Sequence, residues 1–358
     1  MPRPLPTDMR QLLRRVSRSF YLTIRILPQK IQPQIGVAYL LARAADTIAD
    51  THLVPIKRRL EALCDLRENI LDAERGGARP APVFSDLGAA IDAPTGRGTA
   101  GERDLLLSAG KILGLLRAFP PEDRPLIANL LTTITAGQEL DLERFGDASG
   151  ERIAALRTDV EMDDYTYRVA GCVGEFWTKL CRTHLFPAVH LDDRLLLENG
   201  VRFGKGLQLV NILRDVPGDL RQGRCYLPLE ILAGHGLTPE ALLSAGSMES
   251  FRPLYRVYLQ RAEEHLAAGW DYTNSLPRSQ VRVRLACAWP ILIGMKTLAQ
   301  LHTKNVLDER DRVKISRPEI RRLILRSVFC YPIPSKWNCL VRTCGIRPNR
   351  GRGQSLRV

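Results

Sequence analysis

Tyr39-Leu-Leu-Ala-Arg43-Ala-Ala-Asp46-Thr-Ile-Ala-Asp50 is the stretch on which the fold turns. Residues 39, 43, 46 and 50 recur at helical spacing and share one face. Val37, Leu40, Leu41, Ala45 and Ile48 make the remaining faces apolar, as in a helix that packs into a core. Two carboxylates at i and i+4 repel each other, and an apolar helix offers them little water. A divalent cation between them removes the repulsion. Magnesium takes oxygen ligands, keeps some of its waters and bridges carboxylates to phosphates. Arg43, one turn earlier, is placed to meet a diphosphate oxygen. The plain alternative is a solvated surface pair.

The pattern returns at Gln208-Leu-Val-Asn211-Ile-Leu-Arg214-Asp215-Val-Pro-Gly-Asp219. Asp215 and Asp219 again stand at i and i+4, and Asn211 adds a neutral oxygen ligand one turn before Asp215. Arg214 is positioned to hold a phosphate or orient a carboxylate. Either motif alone reads as a surface helix. Two copies, each with an arginine and each in an apolar helix, favour a shared metal site. Opposed across a helical cavity, they would hold Mg²⁺ ions that neutralise a diphosphate leaving group and promote its ionisation. The apolar faces would shelter a carbocation from water. Pro217 and Gly218 break the helical pattern, so Asp219 is expected at a frayed helix end.

Helical periodicity extends outward from these motifs, and few segments alternate in the manner of a strand. Helices are expected near 8–26, 34–50, 55–74, 102–117, 122–145, 151–182, 191–216, 239–246, 250–274 and 279–305. The Gly/Pro/Ala-rich stretch from Gly76 to Gly101 reads as a mobile surface loop with at most one short helix. No repeat of fixed period is present. The pattern predicts an all-α single domain whose interior is lined by helix faces. The structure from about Ile320 onward is left open.

The 358 residues carry a net charge of +13, and its location matters. Arg310 to Val358 holds thirteen Lys and Arg against two acidic residues, which is +11 of that total and leaves the body near neutral. Leu323, Ile324, Phe329 and Trp337 lie between those charges. Such a tail either rests on an anionic membrane or is a solvated, partly disordered terminus. No DNA-binding motif accompanies it, so nucleic acid is not an expected partner. The eight cysteines form no C-x-x-C pair, which argues against zinc. They read as reduced, buried residues of a cytosolic protein. Residues 1–15 lack the apolar core of a signal peptide. The longest apolar run, Leu285 to Met295, is short of the ~20 residues that span a bilayer. A cytoplasmic protein is expected, either free or peripheral on the inner membrane face.

Four segments, in this order, resemble the squalene/phytoene synthase family. They are Ser17-Arg-Ser-Phe20, Ala44-Ala-Asp46-Thr-Ile-Ala-Asp50, Tyr165-Thr-Tyr-Arg-Val-Ala-Gly171-Cys-Val-Gly174 and Asn211-Ile-Leu-Arg-Asp215-x-x-x-Asp219. The resemblance runs from about Leu12 to Arg317. It implies an isoprenoid-synthase-type helical bundle around a central cavity, with a catalytic domain over 1–319 and a basic tail over 320–358. It implies that Asp46, Asp50, Asp215 and Asp219 bind Mg²⁺-diphosphate, with Asn211 among the metal ligands. Ser17, Arg18 and Phe20 match the segment lining the diphosphate and cofactor region. Tyr39 and Arg43 match further cavity residues. Tyr165 matches a tyrosine linked to the first half-reaction, where it assists proton removal or stabilises cationic charge. Gln208, Asn211 and Arg214 match polar contacts of the second motif, and Arg224 and Tyr226 match the segment after it. Lys314, with Arg317, resembles basic residues near the diphosphate or NADPH. Ordinary alternatives stand beside these roles: Tyr165 as a core tyrosine, Ser17 as a cap, Gly171 and Gly174 as a close-packing pair, Lys314 and Arg317 as tail charge.

The resemblance implies prenyl diphosphate substrates and a farnesyl-diphosphate farnesyltransferase, a squalene synthase working through presqualene diphosphate with Mg²⁺ and NADPH. Without hydride the product would be dehydrosqualene, and geranylgeranyl diphosphate would give phytoene. No Gly-rich nucleotide fingerprint is present, but the family binds NADPH without one. Phe176-Trp177, if directed inward, favours shorter chains. Some relatives of this fold are non-catalytic assembly factors at membranes, marked by loss of the aspartates; all four are present here. Oligomeric state is not legible.

Overall fold

The computed structural model describes residues 4–17, 20–93 and 98–342. Sixteen α-helices form the described part: α1 (Thr7–Val16), α2 (Phe20–Ile26), α3 (Gln32–Asp50), α4 (Ile56–Glu74), α5 (Ser85–Asp92), α6 (Ala100–Leu107), α7 (Ala109–Arg117), α8 (Asp123–Phe145), α9 (Asp159–Thr166), α10 (Cys172–His184), α11 (Asp193–Arg221), α12 (Leu229–Gly234), α13 (Met248–Ser275), α14 (Val281–Leu301), α15 (Arg317–Cys330) and α16 (Pro334–Arg342). A single parallel pair of two-residue strands, β1 (Ala154–Ala155) and β2 (Arg224–Cys225), is the only sheet among the described residues. The chain is an all-α bundle, as its helical periodicity predicts.

Two apolar clusters hold the bundle. One gathers side chains of α1, α3, α4, α7, α8 and α10, including Leu41, Ile48, Leu63 and Leu131. The other gathers α11, α13 and α14 with the C-terminal helices, including Leu213, Tyr255, Ile291 and Trp337. Helix α3 belongs to the first and the C-terminal half of α11 to the second, so the two aspartate motifs stand on different halves of the core.

Several helix limits differ from expectation for local reasons. The 8–26 segment ends its first helix at Ser17, whose hydroxyl donates to the Leu13 carbonyl at 2.5 Å. The 102–117 segment breaks at Ser108. The helix expected from 151 starts at Asp159, capped by the Thr158 side chain, because residues 154–155 are taken up by β1. It then passes through a π turn at Tyr167–Gly171. The 239–246 segment forms two short 3₁₀ turns. The Gly76–Gly101 stretch holds one short helix, α5, before α6 begins.

The largest correction concerns Pro217 and Gly218. Helix α11 does not fray there but continues to Arg221. Proline leaves the carbonyl four residues earlier, on Leu213, without its helical partner. The buried Tyr255 hydroxyl on α13 donates to that carbonyl at 2.9 Å and so replaces the missing bond. Asp219 therefore sits on a regular turn.

The residues after 319 are ordered as far as the structure describes them. Helix α15 starts from a Ser316/Glu319 capping box and crosses the 319/320 boundary. Trp289 donates to Ser327 at 2.9 Å. Trp337 is buried, stacks on Trp270 at 5.1 Å between ring centroids and donates to Asn274 at 2.8 Å. Leu323 is buried as well. Two of the four apolar residues expected between tail charges are thus core residues. The cysteines also divide: Cys172, Cys181, Cys225 and Cys287 are buried, whereas Cys339 is exposed. No described helix is long and apolar enough to cross a membrane.

Candidate active site

Helix α3 carries Arg43, Asp46 and Asp50 on one face, as their spacing requires. Arg43 pairs with Glu102 at the start of α6 and lies 3.8 Å from Asp46. Glu102 is itself fixed, since its other carboxylate oxygen closes the α6 capping box by accepting the Thr99 N–H at 2.8 Å. Tyr39, one turn before Arg43, donates to the Val16 carbonyl at 3.4 Å.

Helix α8 supplies the polar residues that sequence reasoning missed. Gln138 donates to Asp46 at 2.5 Å. Asp141, one turn on, accepts from the Tyr226 hydroxyl at 3.0 Å. The signal was present in Gln138-Glu-Leu-Asp141, polar residues at i and i+3 on a helix with Leu131, Ile134 and Leu142 buried.

On α11, Arg214 grips Asp215 with two bonds of 2.9 and 2.5 Å. Gln208 reaches the buried Tyr165 hydroxyl at 3.5 Å. Asn211 is exposed. After α11 the chain reverses at Gly223, whose φ of +81° and closeness to the Ser149 backbone exclude a side chain. Strand β2 then sets Arg224 and Tyr226, held by Ala154 N–H donating to the Gly223 carbonyl at 2.8 Å. Tyr226 stacks on Tyr165 at 4.6 Å.

The electrostatics tie these elements together. Burial pushes Asp46 up to about 7, against the pull of Arg43 and with the help of Asp50. Asp219 is also raised to about 7, by burial and then by Asp215. Asp141 rises to about 6 through burial, opposed by Arg224. Asp141 feels Asp50 on α3 and in turn raises Asp219 on α11, so it links the two motifs. Arg224 stands among them: burial works against its charge, but Tyr226, Asp141 and Asp50 outweigh it and hold the proton more firmly. Tyr165 is pushed well above its ordinary value by burial and by Tyr226, Asp141 and Asp219, so its hydroxyl stays protonated.

Beside this cluster opens a cavity of about 870 Å³. Its wall includes Arg43 and Asp50 from α3, Arg59 from α4, Glu102 from α6, Arg221 at the end of α11 and Arg224. Arg59 was not anticipated; it is buried and donates to the Ala49 carbonyl at 2.6 Å. Arg224 also lines a small void with Asp219 and Tyr226.

Of the expected site residues that the structure describes, only Arg43, Asp50 and Arg224 line the cavity. Ser17 is buried, with its hydroxyl committed to its own helix. Lys314 and Arg317 are exposed, and neither lines the cavity. Arg18 and the side chain of Phe20 lie outside the described residues. Phe176 packs into the first apolar cluster.

Among the described residues, no three acidic, His or Cys side chains converge closely enough to hold a metal ion unaided. The donor set nevertheless suits one. Carboxylates raised by burial and mutual repulsion gain from a divalent cation, and Mg²⁺ completes its shell with water and phosphate oxygens. Asp46, Asp50, Asp215 and Asp219 are the residues that would share it, next to arginines suited to diphosphate.

Comparison with known proteins finds relatives over most of the chain. A family model described as Squalene/phytoene synthase matches residues 13–319. The squalene synthase of Eremothecium gossypii is 30% identical over 88% of this chain, which spans 66% of that protein's length. The phytoene synthase of Arthrospira platensis is 29% identical over 85% of this chain and 82% of its own length. The solved complex of TcSQS with the ligand BPH1237 superposes with a TM-score of 0.75 at 21% identity, covering 97% of this chain and 92% of the other. With its helical bundle, its paired aspartates and a match over nearly its whole length, the chain belongs to the squalene/phytoene synthase family of prenyltransferase-type enzymes.

Proposed function

We propose that the protein condenses two farnesyl diphosphates head to head, through presqualene diphosphate, to squalene. The observation that supports the chemistry is the electrostatic link that Asp141 makes between Asp50 on α3 and Asp219 on α11, beside a cavity walled by Arg43, Asp50, Arg59 and Arg224. Bound Mg²⁺ would supply positive charge to the departing diphosphate. Arg43 and Arg224 orient that diphosphate through charge-assisted hydrogen bonds. The allylic cation left behind is attacked by the double bond of the second substrate, and loss of one proton closes the cyclopropane. Tyr165 is buried and protonated, so its role is to stabilise developing positive charge and donate a hydrogen bond. Loss of the second diphosphate and rearrangement then leave a cation, and NADPH, when bound, would supply the hydride that turns it into squalene.

Squalene as product is supported by the 30% identity to a squalene synthase; the 29% identity to a phytoene synthase supports the same chemistry on longer chains. Retention of all four aspartates speaks against a non-catalytic assembly factor. Purified protein with Mg²⁺ and either farnesyl or geranylgeranyl diphosphate, with and without NADPH, tests the proposal. Squalene formed only from farnesyl diphosphate with NADPH is the expected result. Phytoene, or dehydrosqualene whatever the reductant, would overturn the product assignment and keep the mechanism. No product at all would overturn both.

A further inference from the structure

Helix α15 has two faces. Leu323 and Ser327 turn into the bundle. Arg321, Leu325 and Phe329 form one outward stripe at i, i+4 and i+8, and Arg322 and Arg326 run beside it. Phe329 is 75% exposed and Leu325 57%, and Ile333 continues the apolar strip beyond the helix end. Among the described residues no carboxylate pairs with these arginines. The one acid of the helix, Glu319, is occupied by its capping box and by Lys296 at 3.5 Å. Large apolar side chains held in water between unpaired cations have an evident counterpart in chemistry: an anionic lipid surface, whose headgroups take the arginines and whose acyl boundary takes Phe329 and Leu325.

We propose that the outer face of α15 docks the enzyme on anionic membranes. Other occupants fit less well. A second copy across a twofold axis would set like charges against each other, and a nucleic-acid backbone offers nothing to Phe329 and Leu325. The docking face goes beyond the reaction proposed above and does not depend on it.

The test is flotation of the full chain with vesicles of phosphatidylcholine alone or with phosphatidylglycerol, over a range of salt. Binding is expected only with the anionic lipid and should fall with ionic strength. Each arginine neutralised should weaken it about fivefold, so R321Q/R322Q/R326Q together should weaken it about a hundredfold. F329S should weaken it several-fold at fixed charge. Because these side chains are exposed, melting temperature and turnover in solution should not change, which separates failure of docking from failure of catalysis. A chain ending at Arg342 should still bind, which separates α15 from the basic residues that follow. Equal binding to both lipids, wild-type binding by both variants, or loss of binding only on that truncation would overturn the proposal. So would finding that the substitutions change only self-association or nucleic-acid binding.

Discussion

Asp46 and Asp219 are half-buried carboxylates set close to other acids. Both are raised to about 7, mainly by burial. A folded value above the unfolded one means that the native state holds the proton longer. The stability this lends is complete below pH ~4 and is lost as pH rises through about 7. Asp219→Asn should therefore stabilise the ligand-free protein at pH 8 and flatten the decline between pH 4 and 7. Urea unfolding at a series of pH values checks this, and an unchanged slope would mean that Asp219 is solvated. The same repulsion predicts a different outcome for function. Asp46→Asn should lower turnover of a prenyl diphosphate by about a thousandfold while leaving the circular dichroism spectrum intact. An active Asp46→Asn enzyme would sink the assignment of this carboxylate to the diphosphate site. Both aspartate pairs were legible in the sequence because i, i+4 carboxylates on apolar helices are costly. Asp141 was harder to read: Gln138 and Asp141 share a helix face, but their meaning lies in Asp46 and Tyr226, far along the chain.

At the scale of elements, the sequence reveals helices well and their interruptions poorly. Periodicity places α3, α4 and α8 to within two residues of their observed limits. Pro217 misleads because the group that rescues its helix, the Tyr255 hydroxyl, comes from another helix. Glycines show the same division between local and tertiary causes. Gly174 on α10 faces Gly200 on α11, and an added Cβ would lie 1.9 Å from the Gly200 carbonyl oxygen. Backbone cannot yield there, so Gly174→Ala should destabilise the protein by about 3 kcal/mol or more. Gly218 meets nothing within 4 Å and lies in the last turn of α11. Gly218→Ala should therefore stabilise by up to about 1 kcal/mol, through helix propensity alone. Thermal melts of the two variants check the pair, and shifts of the same sign would contradict the helix packing described here. Gly218→Ala also tests whether the turn bearing Asp219 needs freedom, since lower turnover with higher stability would separate motion from fold.

For the whole molecule, the question is where the cooperative unit ends. Composition divides the chain near residue 320, because the charge changes there. Packing does not. Trp337 closes on Trp270, meets the edge of Tyr331 at 5.0 Å between centroids and has the Arg284 guanidinium 5.6 Å from its ring. Charge density is visible in a sequence, whereas the partner of a single tryptophan is not; the family match itself ends at residue 319, within α15. An aromatic side chain with these contacts is worth about 3–5 kcal/mol when cut to alanine. At this chain length that is a fall in melting temperature of roughly 4–7 °C. Trp337→Ala should show it as one transition, because α16 packs on α13 and α14, the helices that support α11 and its aspartates. Loss of stability in a separate early transition, with the main one unmoved, would mean that α15 and α16 fold as an appendage. A single lowered transition would make the C-terminal helices part of the body that holds the active site. The charge on α15 would then be free to serve its outer face while its inner face serves the core.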